Sequence, residues 1–574
     1  MHPGVLSRIW WSFMRIIDPG TITGDVGTGW AMVISLFATI GGIVVFSILV
    51  GFLSNKITDK LIELKKGRSL VIEKNHIVIL GWSERIFIIL EELIKANETK
   101  RHHRIVILSS MDSTLMYDQI IERIKIFKST KVICRTGDVK SILDLNIVSP
   151  GTARSIIVLS NLSSVADSGV VKTILALQYN NIKGIPIIAE ILDTDSLPLT
   201  NVAFGRCVYL IPVYDMISRF LVQVVRQDGL SDVYSEVLSF KGSEIYIQKK
   251  SNIQDKSFKD ILFSYKGGIP IGIERNGKVI LNPLDSEIFR PDDKVVIFSE
   301  DEESFNLSNK KIPIDRNAIN IKPTKEAVKE KTLILGWSPS LPLIIKTTNE
   351  FSPKGSTLLI VSDMGEALVK TEEDIKDLSL KNIKVTYKKS TYNSLKILKN
   401  LKAETYDNII LVNNHFDNDS TSEEKDAQTL INLLLLRKYL DDLDTDVNIT
   451  TEMEYPHNQY LAERAKVNDF IISSKIVSMI LAQISQEPLI YSIYQDLFRA
   501  TGRELYLKEA SEYVQLNKEI NFATVLFAVY KKHHIALGYM TMNDDGHNVL
   551  VLNPERNSIC RFKERDRFVV IAEE

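Results

Sequence analysis

The chain has 574 residues, 70 of them basic and 72 acidic, with a net charge of −2 and 45% hydrophobic content. That length allows three or four domains with their own cores, and the charge balance, without any basic domain carrying interleaved aromatics, excludes bulk nucleic-acid binding. Cys134, Cys207 and Cys560 stand far apart with no CxxC pair, which excludes a disulfide framework or zinc site and suits a reducing compartment.

The first predicted element is Arg8 to Ile17, RIWWSFMRII. It is too short to span a bilayer and fits a re-entrant or interfacial half-helix. It runs into a loop containing Asp18, Pro19, Gly20, Thr21, Thr23, Gly24 and Asp25. Irregular backbone at membrane depth is tolerated only where it is buried in protein or lines water. In a pore, carbonyls and hydroxyls of such a loop replace an ion's hydration shell, and rings of Asp18 and Asp25 from four chains would concentrate cations at the mouth. The plainer alternative is an extracytoplasmic loop after an interfacial helix. There is no TVGYG sequence, so strict potassium selectivity is not indicated.

Ala31 to Ser54 follows without a single charge. A helix of that length exceeds the roughly 30 Å hydrocarbon core of a bilayer. A signal peptide would have a shorter apolar region and a small-residue cleavage site, whereas this run ends at Asn55-Lys56. Lys56, Lys60, Lys65, Lys66 and Arg68 lie after it and only Arg8 and Arg15 before it, so residues 55–574 are expected in the cytoplasm of a cell-membrane protein. The basic cluster just inside the membrane lies within reach of lipid headgroups. Gly41-Gly42 in mid-helix serves either close packing or bending during gating.

After a charged linker, short apolar runs alternate with helical stretches: NHIVILGWS at 75–83, RIVIL at 104–108, KVIC at 131–134, SIIVL at 155–159 and a fifth run at 185–190. That alternation predicts a doubly wound parallel sheet. The unit then recurs, with ILGWS at 79–83 and again at 334–338, GSEIYI at 242–247 against GRELYL at 502–507, and LNP at 281–283 against 552–554. Between sheet and smaller lobe each copy carries a helix pair, Val213 to Val225 with Leu230 to Phe240, and Lys475 to Ile484 with Pro488 to Arg499. Such protruding pairs usually dock two units together.

Ligands of this fold bind beyond the carboxyl ends of the strands. Gly81-Trp82-Ser83 and Gly336-Trp337-Ser338 each offer one glycine where a dinucleotide fingerprint needs three, so no NAD is expected. The same turns lack the second glycine of a nucleophile elbow and no triad follows, so no enzymatic activity is expected. Glu190, Asp193 and Asp195 in the first copy, with Glu452 and Glu454 in the second, are the carboxylates placed to hold a hard cation such as calcium. The alternative for each is a solvated acid at a strand end.

The segments NHIVILGWSERIFIILEELIKAN (75–97), KVICRTGDVKSILDLNIVSPGTARSIIVLS (131–160), VYDMISRFLVQVVRQDGLSDVY (213–234) and GKVILNPLDSEIFRPDDKVVIFSED (277–301), with the junction LKKGRSLVIEKNH (64–76), closely resemble the CASTOR and POLLUX ion-channel family and its bacterial relatives. The resemblance covers nearly the whole chain. It implies a homotetrameric cation channel with a cytoplasmic ring of RCK-like domains and calcium as the gating ligand. Members of the family carry at least one further transmembrane helix before the pore segment, so one encoded upstream of Met1 is expected of a conducting form. The loop DPGTITGD departs from the DSG-type loop of the plant members, so the passing cation, monovalent or divalent, is left open.

The expected architecture is a membrane-anchored α/β chain: a pore-type half-helix and filter-like loop (1–30), a transmembrane inner helix (31–54) and a linker (55–74). Two tandem RCK-like doubly wound parallel α/β domains follow, each with a small C-terminal α+β lobe (75–240 with 241–301, linker 302–330, then 331–500 with 501–574). The expected function is a calcium-gated channel subunit; the alternative is a membrane-anchored regulatory subunit that does not itself conduct.

Overall fold

The computed structural model describes residues 4–17, 29–65, 67–98, 103–160, 166–180, 182, 184–192, 207–265, 267–303, 312–323, 327–363, 365–376, 378–412, 421–445, 447–455, 458, 461, 469–499, 502–543 and 547–573. Helix Val5–Ile17 packs beside helix Gly29–Lys65. Within the latter, Met32–Thr58 has a mean hydropathy of 2.6 and is the one helix among the described residues long and apolar enough to cross a membrane. Its apolar side chains, Phe37, Ile48 and Phe52 among them, are mostly exposed. A soluble core helix would bury that surface; here hydrocarbon is the solvent that suits it.

The first part of the linker read from sequence is helical, because the helix continues unbroken to Lys65. Leu, Lys, Ile and Glu in ITDKLIELK are mostly strong helix formers, and nothing in the run breaks the ladder. Gly67 lies in the left-handed region at φ 65°.

From there the chain is stitched to the outer edge of the first sheet. The Thr136 amide donates to Gly67 O at 3.1 Å, and Arg135 Nε donates to Ser69 O at 2.8 Å. The Val71 amide donates to Ile147 O at 2.8 Å, and the Ser149 hydroxyl donates back to Val71 O at 2.5 Å. A Cβ at Gly67 would lie 2.3 Å from Ser113 Oγ, so only glycine permits this close approach.

Two six-stranded parallel sheets have the same strand order, 3-2-1-4-5-6. The central strands Ile77–Leu80 and Lys331–Leu335 are almost wholly buried, because helices cover both faces of a parallel sheet. Each sheet has a sixth strand that sequence reading missed, Val208–Pro212 and Asp469–Ile472. These are four- or five-residue runs that abut the next helix directly, so periodicity gave no break between strand and helix. Two four-stranded antiparallel sheets, built in the first half from Glu244–Gln248, Ile269–Arg275, Lys278–Leu281 and Lys294–Ser299, and a two-stranded one of Glu519–Asn521 and Ile559–Arg561 complete the described fold.

The halves are joined by exchange of crossover helices. Helix Val213–Arg226 follows the first sheet but lies on the second, against Leu341–Phe351. Helix Ser473–Gln486 follows the second sheet but lies on the first, against Arg85–Ala96. Matching hydroxyls mark the two joints: Ser218 Oγ donates to Ser340 O and Ser478 Oγ to Arg85 O, each at 3.4 Å. The buried Phe220 ring packs 4.6 Å from Tyr234 of its own half and 4.6 Å from Phe498 of the other. One hydrophobic core therefore runs through both copies, and each half has a further core of its own.

Candidate ligand site at the strand ends

The turn at Gly81 ends the first strand and Arg85 begins the next helix. In a dinucleotide fold that helix start would face the pyrophosphate. Here Arg85, 4% exposed, turns its guanidinium onto Glu190, 0% exposed, with Nη1 2.6 Å from Oε1. The Ser160 amide donates to the other carboxylate oxygen at 2.7 Å. Glu190 lies within strand Ile187–Ile191 and points into protein. It is not a solvated acid, and its charge is matched from inside the fold.

The second copy lacks this arrangement because Pro339-Ser340 stand where the first has Glu84-Arg85. Glu452, on strand Asn448–Met453 and 6% exposed, has no arginine to meet it. Burial pushes its carboxyl up to about 7, the nearby Glu454 charge adds to the rise, and a hydrogen bond from Ser473 opposes it. Asp426 sits alongside, accepting from the amides of Glu454 and Tyr455 at 3.0 Å each and from Asn458 Nδ2 at 2.7 Å. Burial raises its pKa as well. Its counterpart Asp167 accepts from the Leu192 amide at 2.8 Å.

The two strand ends face each other. Tyr214, at the start of the first crossover helix, is pushed up to about 12 by burial, with Glu452 and Asp167 adding and Arg85 opposing. A cleft of about 900 Å³ opens beside them, lined from one half by Trp82 and Arg85 and from the other by Glu454 and Tyr455. Glu84 and Arg123 pair across its wall, and the Arg123 guanidinium lies 4.2 Å from the centre of the Phe87 ring.

Of the residues singled out from sequence, Glu190, Glu452 and Glu454 lie at these strand ends, while Asp193 and Asp195 lie outside the described residues, as does the whole filter-like loop from Asp18 to Asp25. Gly41 and Gly42 sit in an unbroken helix, and a Cβ at Gly41 would meet nothing within 4 Å. Among the described residues no three His, Cys, Asp or Glu side chains are gathered as a metal shell. The donor chemistry differs between the copies. Glu190 is already paired, whereas the charges of Glu454 and Asp426 both raise the pKa of Glu452, and Asp426 is itself satisfied by the amides of Glu454 and Tyr455 and by Asn458. Sequence reading missed Arg85 and Asp426, since neither carries a motif: one reads as the first residue of a helix, the other as an acid near the start of a helix.

The architecture is a pair of Rossmann-type parallel sheets that follow a membrane-length helix. Residues 73–192 match the family model described as the calcium-activated potassium channel slowpoke-like RCK domain. Residues 214–315 match the model described as Castor and Pollux, part of voltage-gated ion channel. The chain is 28% identical to ion channel POLLUX of Lotus japonicus, covering 98% of this chain and 65% of that protein. It is also 28% identical to probable ion channel CASTOR of Oryza sativa subsp. japonica, covering 99% and 67%. Among solved structures, the human SLO3 gating ring matches 87% of this chain and 99% of that chain with a TM-score of 0.61 at 13% identity, a likeness of fold. Over nearly its whole length the chain is similar to the CASTOR and POLLUX ion channels. It spans 65% and 62% of the length of two POLLUX relatives, from Lotus japonicus and Oryza sativa subsp. japonica.

Proposed function

We propose that the chain is a subunit of a homotetrameric, calcium-gated cation channel in the cell membrane, with residues 55–574 in the cytoplasm. The observation that carries this reading is that the membrane-length helix ends at Lys65, two residues before Gly67, and that Gly67, Ser69 and Val71 are hydrogen-bonded to the first sheet. Movement of that sheet displaces the end of the helix directly.

Calcium would meet Glu452 and Glu454, with backbone carbonyls supplying further oxygens, and would offset the repulsion between these acids. Binding shifts the gate only to the extent that the cation binds the two arrangements of the ring with different affinity. The filter-like Asp18 to Asp25 loop would line the mouth, and Gly41-Gly42 would give the inner helix its bend. The test is cation flux into liposomes holding the chain, alone and in a version extended upstream, with and without calcium. Calcium-dependent flux that is lost in Asp18→Ala or Asp25→Ala supports the channel; absence of flux from both versions assigns the chain instead to an anchored regulatory subunit.

A further inference from the structure

A second enclosed space lies at the joint where the first crossover helix, helix Leu341–Phe351 and the pair Ser473–Gln486 and Ile490–Leu497 meet. It measures about 260 Å³, just below the roughly 300–1,000 Å³ of pockets for drug-sized ligands. Its floor is apolar, formed by Met216, Ile480 and Phe498. Its mouth is cationic. Arg219 there is already held by Asp215 at 2.9 Å and Glu350 at 3.5 Å. Lys346 and Arg499 are exposed beside it, and neither forms an ion pair with a described carboxylate.

The duplicated joint is built differently. The position of Lys346 corresponds to Glu91 and that of Asp215 to Lys475, read from the ILGWS and crossover-helix registers. There Lys475 is largely buried close to Glu92, and Glu92 in turn pairs with Lys95 at 2.6 Å and accepts from the Phe240 amide at 2.8 Å. That joint carries its own compensating charges. At the joint of Lys346 and Arg499 the anions are otherwise engaged, Asp215 and Glu350 by Arg219, while Asp496 lies near Arg499 without forming an ion pair with it, so the mouth keeps a positive excess over an apolar floor.

We infer that the cavity between Met216, Ile480 and Phe498 is a binding site for a small amphiphilic anion, whose apolar body fills the floor and whose carboxylate or phosphate head meets Lys346 and Arg499. Apolar burial supplies the affinity and the two cations supply the choice of head group. Because the cavity is walled by elements of both halves, an occupant would cement the joint between them. The inference does not depend on whether the chain conducts.

The test uses the full chain in lipid nanodiscs, with empty nanodiscs as the blank, titrated calorimetrically with octanoate, octyl phosphate and octanol. Saturable binding of octanoate or octyl phosphate, with octanol at least about tenfold weaker, is expected; the tighter of the two heads separates a free carboxylic acid from a phosphate ester. Lys346→Gln with Arg499→Gln, both exposed and remote from the core, should weaken the anion by about tenfold or more and leave octanol unchanged. Ile480→Phe, which fills the floor, should abolish binding of all three. Equal binding of octanol and octanoate, an unchanged affinity in the double variant, or no saturable binding of either anion overturns the inference.

Discussion

Arg85 and Glu190 form an ion pair of 2.6 Å between side chains 4% and 0% exposed, at the corner of the first sheet where related folds leave room for a phosphate. The pair ties the first helix to the fifth strand. It also fills the corner, and its absence from the second copy leaves Glu452 as a buried carboxyl without a cation.

Breaking that pair from one side strands a buried charge. Arg85→Met should destabilise the chain by about 3–5 kcal/mol, while Arg85→Met with Glu190→Met should recover most of the loss. Chemical denaturation of the two variants in the same detergent reads this directly; an Arg85→Met variant as stable as the parent would contradict the pairing.

Glu452 gives the fold a pH dependence whose sign is fixed. Its carboxyl is raised from 4.5 to about 7 in the folded chain, so the folded state binds the proton more tightly than the unfolded one. Below pH 4.5 the group is neutral in both states. As pH rises from there to about 7, the unfolded chain ionises first and stability falls, by up to about 3 kcal/mol. Thermal melts between pH 5 and pH 8 should show this decline, and Glu452→Gln should flatten it.

Phe220 couples the halves, because its ring touches both Tyr234 and Phe498. Phe220→Ala should cost about 3–5 kcal/mol and should lower the melting of both copies together. A variant in which one half melts early while the other keeps the parent's midpoint would show that the core is not shared.

Gly67 is the point where the membrane helix hands over to the first sheet. A side chain there meets Ser113 at 2.3 Å and must adopt φ 65°, so Gly67→Val should undock residues 67–71 with a loss of about 1–3 kcal/mol. In flux measurements it should separate calcium binding, which persists, from its effect on the pore, which is lost. Retained calcium control in this variant would exclude the Gly67 contact as the coupling route.

Much of the parallel sheet was legible because each buried strand, such as IVIL at 77–80, is a short apolar run between helical stretches. The duplication was legible as repeated ILGWS and LNP. The exchange of crossover helices was foreshadowed only as protruding helix pairs: an apolar helix such as Val213–Arg226 reads the same whether it covers its own sheet or a neighbour's. The strand ends were named from Glu190 and Glu452, but not their difference. That difference rests on whether a helix begins with Arg85 or Ser340, and it acquires meaning only when the fifth strand is placed beside it. Asp426 was invisible for the same reason, since its role is to receive amides of Glu454 and Tyr455 brought near by the sheet.

The most direct measurement of the gating account compares calcium-dependent cation flux through the parent with that through Glu452→Gln and Glu454→Gln together. The account predicts that the double variant keeps basal flux and its fold while calcium no longer changes the rate. An unaltered calcium response in that variant would contradict the assignment of the second copy's strand end as the gating site.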